Sequence, residues 1–178
     1  CITIISCDPV QLNASCKANP VVGVGATGLH SFEFPDLDSI SDVSCLVEDI
    51  TFSPSTINCS DVGSSIPVTM TIRDHLDSVE SCISLVTVVD DTPPVISQCT
   101  PNILATLYLD ATGRDTFLAS SILATDNCGP FIKQVRPLSG GAWGSFVPIN
   151  CLSGLQQLET QVIDSSGNIA TCNITLNV

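Results

Sequence analysis

Hydrophobic residues in this chain recur with a period of two and never with the period of a helix. In residues 172–178, Cys172, Ile174, Leu176 and Val178 alternate with polar neighbours, as expected of a strand with one buried face. Residues 82–88 repeat the pattern. Each run is the second arm of a strand, turn, strand unit, and residues 68–82 line up without a gap on residues 158–172. The later copy turns through Asp164-Ser165-Ser166-Gly167-Asn168, where Gly and Asn tolerate positive φ and Asp caps the turn. The earlier copy, Asp74-His75-Leu76-Asp77-Ser78, lacks the glycine. The chain therefore reads as one small module written twice.

A boundary falls where the β run Val86-Thr87-Val88-Val89 meets Asp90-Asp91-Thr92-Pro93-Pro94, because two prolines cannot continue a ladder. This places one module at 1–91 and a second at 92–178. Within the second, strands are predicted at 103–109, 116–122, 131–136, 145–149, 158–163 and 169–178, the spacing of a sandwich. Ala26-Thr27-Gly28 in the first module matches Ala111-Thr112-Gly113 in the second. The expected fold is all-β: two tandem β-sandwich modules, stapled by disulfides.

Ten cysteines carry the stapling. Modules of this size bury a smaller share of their surface than larger domains and benefit from crosslinks. The cysteines lack the paired C-x2-4-C knuckles of a zinc site, and His30 and His75 stand alone in sequence, so no metal or cofactor is expected and both histidines read as surface or turn residues. An even cysteine count at repeated spacings fits an oxidising compartment, secreted or at a cell surface.

A net charge of -13 and a pI near 4.1 argue against nucleic acid and anionic membranes as partners. Mean hydropathy is nevertheless +0.41 with only 13% charged residues. Much of the outer surface must then be Ser, Thr and Asn, or be covered by other subunits. The uncharged stretch 137–158 is broken by Gly, Pro, Ser, Asn and Gln and cannot be a transmembrane helix. The abrupt start at Cys1 is that of a processed mature form or of a window cut from something longer.

Three motifs in order resemble the hyalin repeat (HYR) family: Asp91-Thr92-Pro93-Pro94-Val95-Ile96-Ser97-Gln98-Cys99, then Ala124-Thr125-Asp126-Asn127-Cys128-Gly129, then residues 162–172 ending in Ser166-Gly167-Asn168-Ile169-Ala170-Thr171-Cys172. The first module resembles a degenerate copy, with Val43-Ser44-Cys45-Leu46 in place of Asp-Asn-Cys-Gly. The resemblance implies immunoglobulin-like repeats of extracellular surface proteins, with roles in adhesion and scaffolding.

Cys7, Cys45, Cys59 and Cys82 are the counterparts of Cys99, Cys128, Cys151 and Cys172. Terminal strands of a sandwich often run side by side, which pairs Cys99 with Cys172 and Cys7 with Cys82, and leaves Cys128 with Cys151 and Cys45 with Cys59. Each bridge would be worth about 3 to 4 kcal/mol. Cys1 and Cys16 remain, as a local bridge or as a link to a neighbouring subunit. The apolar, β-branched run Cys1-Ile2-Thr3-Ile4-Ile5-Ser6-Cys7 could add to a neighbour's sheet edge. Asn13, Asn58 and Asn173 fit the glycosylation sequon, and Asn173, opposite the inward Cys172 and Ile174, should face outward.

Catalysis is not expected. No G-x-S-x-G elbow exists, and Asp36, Asp38 and Asp42 read as solvated turn charges. Sugar binding would want aromatic platforms, yet Tyr108 and Trp143 are the single Tyr and Trp, with Trp143 reading as core or interface. Asp90, Asp91, Asp126 and Asp164 could offer oxygen to calcium at the module junction, although no D-x-[DN]-x-[DN]-G loop supports it. The function expected is a non-enzymatic structural one, as subunit or repeat unit of a surface filament or fibre that associates head-to-tail or with tandem neighbours. The alternative is an adhesin module that binds a protein or glycan.

Overall fold

A computed structural model describes residues 12–41, 47–97, 104–106, 111–150 and 155–177. The chain divides into two compact units, Cys1–Asp90 and Asp91–Val178.

Unit 1 holds β1 (Val21–Gly23), β2 (Leu29–Ser31), a single-turn helix α1 (Phe34–Leu37), β3 (Val47–Ser53), β4 (Thr56–Asn58), β5 (Ser65–Asp74) and β6 (Val79–Val89). One sheet has the order β1-β6-β5-β3, and β2 pairs with β4 in another. The helix is a feature that the period-two pattern does not reveal. Four residues are too few to show a helical period, and this turn is held by its N-terminus, where Glu33 N–H donates to Asp36 Oδ2 at 2.8 Å.

Unit 2 holds β7 (Val95–Ile96), β8 (Leu104–Thr106), β9 (Arg114–Leu118), β10 (Ala124–Thr125), β11 (Phe131–Pro137), β12 (Phe146–Asn150), β13 (Leu155–Asp164) and β14 (Ile169–Asn177). Its large sheet runs β11-β13-β14-β8, with β12 paired to β9 and β10 to β7. The expected strand over 116–122 breaks after Leu118 into a 3-10 turn, Ala119–Ser121, whose Ser121 hydroxyl donates to Leu118 O at 2.6 Å.

The two units share one topology. In each, a short strand lies parallel to the last strand, β1 on β6 and β8 on β14. The last strand forms a long hairpin with its predecessor, and a third strand, β3 or β11, pairs on the far side. A separate pair, β2 with β4 or β9 with β12, supplies the second layer. This is immunoglobulin-like connectivity, with the hairpin and its third strand on one side and the remaining pair on the other. The residue pairings of β5 with β6 recur in β13 with β14, so that Thr69↔Ile83 becomes Glu159↔Asn173.

Alternation sends one face of each long strand inward. In unit 2, Phe117, Val147 and Ile149 from the smaller layer meet Val135, Leu158, Val162, Ile174 and Leu176 from the large sheet. In unit 1, Val68, Met70, Ile72, Val86 and Val88 are fully buried, as are Ile57 of β4 and Leu37 of α1.

Candidate functional site

Disulfide positions follow from strand register. Val21 stands opposite Thr87 in a parallel pair, and the segment before it keeps the same step: Thr87 N–H donates to Pro20 O, Leu85 N–H to Ala18 O, and Ser84 Oγ to Lys17 O at 2.7 Å. One residue earlier Cys16 bonds to Cys82, with Cα atoms 5.6 Å apart and a sequence separation of 66, the same offset that separates Val21 from Thr87. Two expected pairings are thereby corrected, Cys7 with Cys82 and Cys1 with Cys16. Alignment on Cys7 passed over Cys16 because spacing does not report which segment runs beside β6, and the parallel strand β1 decides it. Cys59, Cys128 and Cys172 are each disulfide-bonded. Cys1, Cys7, Cys45, Cys99 and Cys151 lie outside the described residues, as do Asp42 and Tyr108.

His30 does not stand alone. Its Nε2 lies 2.9 Å from Asp36 Oδ2, and its ring meets Phe32 edge-on at 5.6 Å. Asp36 also receives the Glu33 N–H, so this carboxylate ties β2 to the first turn of α1. Asp38 accepts from Ser41 N–H at 2.9 Å. These carboxylates do local structural work in the turn, and His75 sits exposed in the turn between β5 and β6.

The matched turns are built alike. Asp164 Oδ1 accepts from Ser166 and Asn168 N–H at 2.8 and 2.9 Å, and Asp74 Oδ1 accepts from Leu76 and Ser78 N–H at 2.8 and 2.9 Å. Gly167 has φ 91°, and Asp77 at the matching position takes φ 61°, so aspartate fills the left-handed place that glycine holds in the later copy. Desolvation, the largest single influence on the Asp74 carboxyl, raises its pKa. Hydrogen bonds from Ser78 and Leu76 and the nearby His75 outweigh it and leave the group below its ordinary 3.8.

Asp90 is buried at the end of unit 1, and Asp91 is exposed at the start of unit 2. Within unit 2, Asp126 Oδ2 accepts from Cys128 N–H at 2.9 Å.

The outer faces of the two large sheets differ in chemistry. In unit 1, Val21, Ile83 and Leu85 are 66%, 66% and 46% exposed, with Pro67 opposite Leu85. An apolar patch of this kind on a sheet suits contact with another protein surface. In unit 2 the matching face is polar along two rows and apolar nearest the β13–β14 turn, where Ile132, Ile163 and Ile169 stand opposite one another and Ile132 and Ile169 are 57% and 51% exposed. Arg136 pairs with Glu159 at 2.6 Å, Gln161 Nε2 donates to Gln134 Oε1 at 2.6 Å, and Trp143 is half-buried beneath the Arg136 guanidinium, 4.2 Å from ring centroid to Cζ. Of the two readings expected for Trp143, core or interface, its place on the solvent side of β11 excludes the core.

The three sequon asparagines are exposed. Asn58 caps the 3-10 turn Cys59–Asp61, its Oδ1 accepting from Ser60 N–H at 2.9 Å and Ser60 Oγ at 2.7 Å. Asn173 stands on the outer face of β14 as alternation requires.

No family model matches the chain, and no curated protein matches it. Among solved structures, it is similar to the crystal structure of DIP-gamma IG1+IG2, at 15% identity and TM-score 0.33 over 69% of this chain and 64% of that one. It is similar to protocadherin gamma B7 extracellular cadherin domains 1-4 at 11% identity and TM-score 0.39, covering 94% of this chain and 51% of that one. A structure of Dpr11 IG1 bound to DIP-gamma matches at 13% identity and TM-score 0.38, covering 95% and 99%. The chain spans 64% and 32% of the length of DIP-gamma IG1+IG2 and of the protocadherin gamma B4 extracellular domain. Likeness at this level decides nothing about function.

Proposed function

We propose that this chain is a non-enzymatic, extracellular structural protein, a pair of disulfide-stapled immunoglobulin-like modules that serves as the subunit or repeat unit of a surface filament or fibre. The observation that carries the reading is the recurrence in both units of one four-stranded sheet and one separate strand pair, to which unit 2 adds the pair β7–β10. A module written twice in one chain is suited to further repetition. The disulfides and the three motifs that resemble the hyalin repeat fit an oxidising, extracellular setting. No described helix is long and apolar enough to cross a membrane.

Association with further copies or tandem neighbours is supported by the apolar row Val21, Ile83, Leu85 and Pro67 on unit 1. Contacts between unlike faces that do not close on themselves would generate a fibre. The same row supports a second reading, an adhesin module whose partner is another protein.

Electron microscopy and light scattering of the native material, with and without reductant, test the choice. Filaments, or large assemblies lost in an Ile83→Lys/Leu85→Lys variant that keeps its secondary structure, support the structural reading. A monodisperse particle that stays monomeric at high concentration overturns it in favour of the adhesin.

A further inference from the structure

One row of side chains crosses three strands on the outer face of unit 2. Asn173 on β14 stands opposite Glu159 on β13, and Glu159 stands opposite Arg136 on β11. Arg136 is bonded to Glu159 through Nε at 2.8 Å and Nη2 at 2.6 Å, and its guanidinium covers one face of Trp143. The neighbouring row is Thr171, Gln161 and Gln134, with the two glutamine amides bonded to each other. We propose that Asn173 carries an N-linked glycan whose first sugar rings lie along this row, over Glu159 and Arg136 toward Trp143.

Local structure makes the attachment point suitable. On a strand, residues i and i+2 share a face, so Asn173 and Thr175 of the sequon point the same way, and Asn173 is exposed with its neighbours Cys172 and Ile174 buried. A glycan attached before folding can therefore stay outside the core once β14 pairs. From Asn173 to Arg136 is two strand spacings, about 10 Å, within reach of the first two rings of such a chain.

The chemistry along the row matches a pyranose. A sugar ring offers a flat face of C–H groups and a rim of hydroxyls. The indole and guanidinium planes suit the first, while the Glu159 carboxylate accepts from the second and the Gln134 amide, held by the buried Gln161, donates to it. The ion pair and the amide pair hold these groups in place before any sugar arrives. Fold alone does not require this surface. The matching row in unit 1 is Ile83, Thr69 and Ser53, which has no charge, no amide and no aromatic ring.

The inference rests on the extracellular reading, since glycans are added in a secretory pathway. Its test uses the full chain secreted from a eukaryotic host that supplies the glycan, so the outcome does not depend on whether filaments form. Trp143 is the single tryptophan, and its fluorescence reports this face alone. Wild type is compared with Thr175→Ala, which removes this sequon and leaves Asn13 and Asn58 untouched. The expected result is one glycan mass lost in the variant, together with a red shift of Trp143 emission and a rise in its acrylamide quenching constant. No mass difference between wild type and Thr175→Ala overturns the attachment, and equal quenching of glycosylated and unglycosylated protein overturns the docking. If free chitobiose added to Thr175→Ala protects Trp143 while the attached glycan of wild type does not, the face takes sugar from outside and the tethered arrangement is wrong.

Discussion

Removing Cys16 and Cys82 together tests the register on which unit 1 is built. The bridge closes a loop of 66 residues. In the chain-entropy picture such a loop restricts the unfolded state by about 4 kcal/mol at 25 °C. Neither side chain contributes to the fully buried core, so little packing is lost when both become alanine. For a domain of this size each kcal/mol moves Tm by about 4 to 8 °C, so Cys16→Ala/Cys82→Ala should lower the melting transition of unit 1 by about 15 to 30 °C. Unit 2, which has its own core, is the internal reference and should melt as before. Differential scanning calorimetry reads both transitions, and a non-reduced peptide map of the parent protein reads the connectivity. A map that joins Cys82 to Cys7, or a double variant that loses less than about 1 kcal/mol, would refute the reasoning. The same map identifies the partner of Cys172, the counterpart of Cys82 in unit 2.

Three further outcomes are expected. Leu158, 1% exposed between the two layers of unit 2, should cost about 2 to 5 kcal/mol when changed to alanine, measured by urea denaturation, with the unit 1 transition unmoved. Gly167→Ala should destabilise by about 1 to 2 kcal/mol, because alanine must hold φ 91°, whereas Asp77→Gly should be neutral or stabilising because it relieves a left-handed aspartate at the cost of a weak exposed contact with Arg73; thermal melts of the two variants should move in opposite directions or differ clearly in size. Asp74 has its carboxyl held below 3.8 in the folded state, so its charged form favours folding above that value and the contribution disappears as pH falls through the folded pKa. The stability gap between wild type and Asp74→Asn should therefore be present at neutral pH and close in acid, read from denaturation midpoints at a series of pH values.

Local chemistry made much of this architecture legible. The alternation in 172–178 assigned Cys172, Ile174 and Leu176 to the core and Asn173 to solvent, because a strand has only two faces and one of them must be dry. The Asp-Ser-Ser-Gly-Asn turn was equally readable, since Gly and Asp there answer to backbone geometry within five residues. His30 and α1 were not readable. The His30–Asp36 contact joins a strand to a turn held by its cap, and neither leaves a periodic trace. Cysteine connectivity was the clearest miss: Cys7 and Cys16 both precede the first described strand, and only the parallel pairing of β1 with β6 brings Cys16 beside Cys82.

What the sequence determines by itself is whatever depends on neighbours along the chain: the strands, which of their faces is apolar, the turns, the duplicated module and the acidic, cysteine-rich character. What only the tertiary structure decides is whatever depends on neighbours across strands. The row from Asn173 through Glu159 to Arg136 and Trp143 joins the β13–β14 hairpin to β11 and the loop after it, with β12 lying between them in the chain, and a shift of one residue in either pairing would dissolve it. The β13–β14 register is set by the turn that joins the two strands, but the β11–β13 register is set by the packing of the sheet against its core, and no short window of sequence contains it.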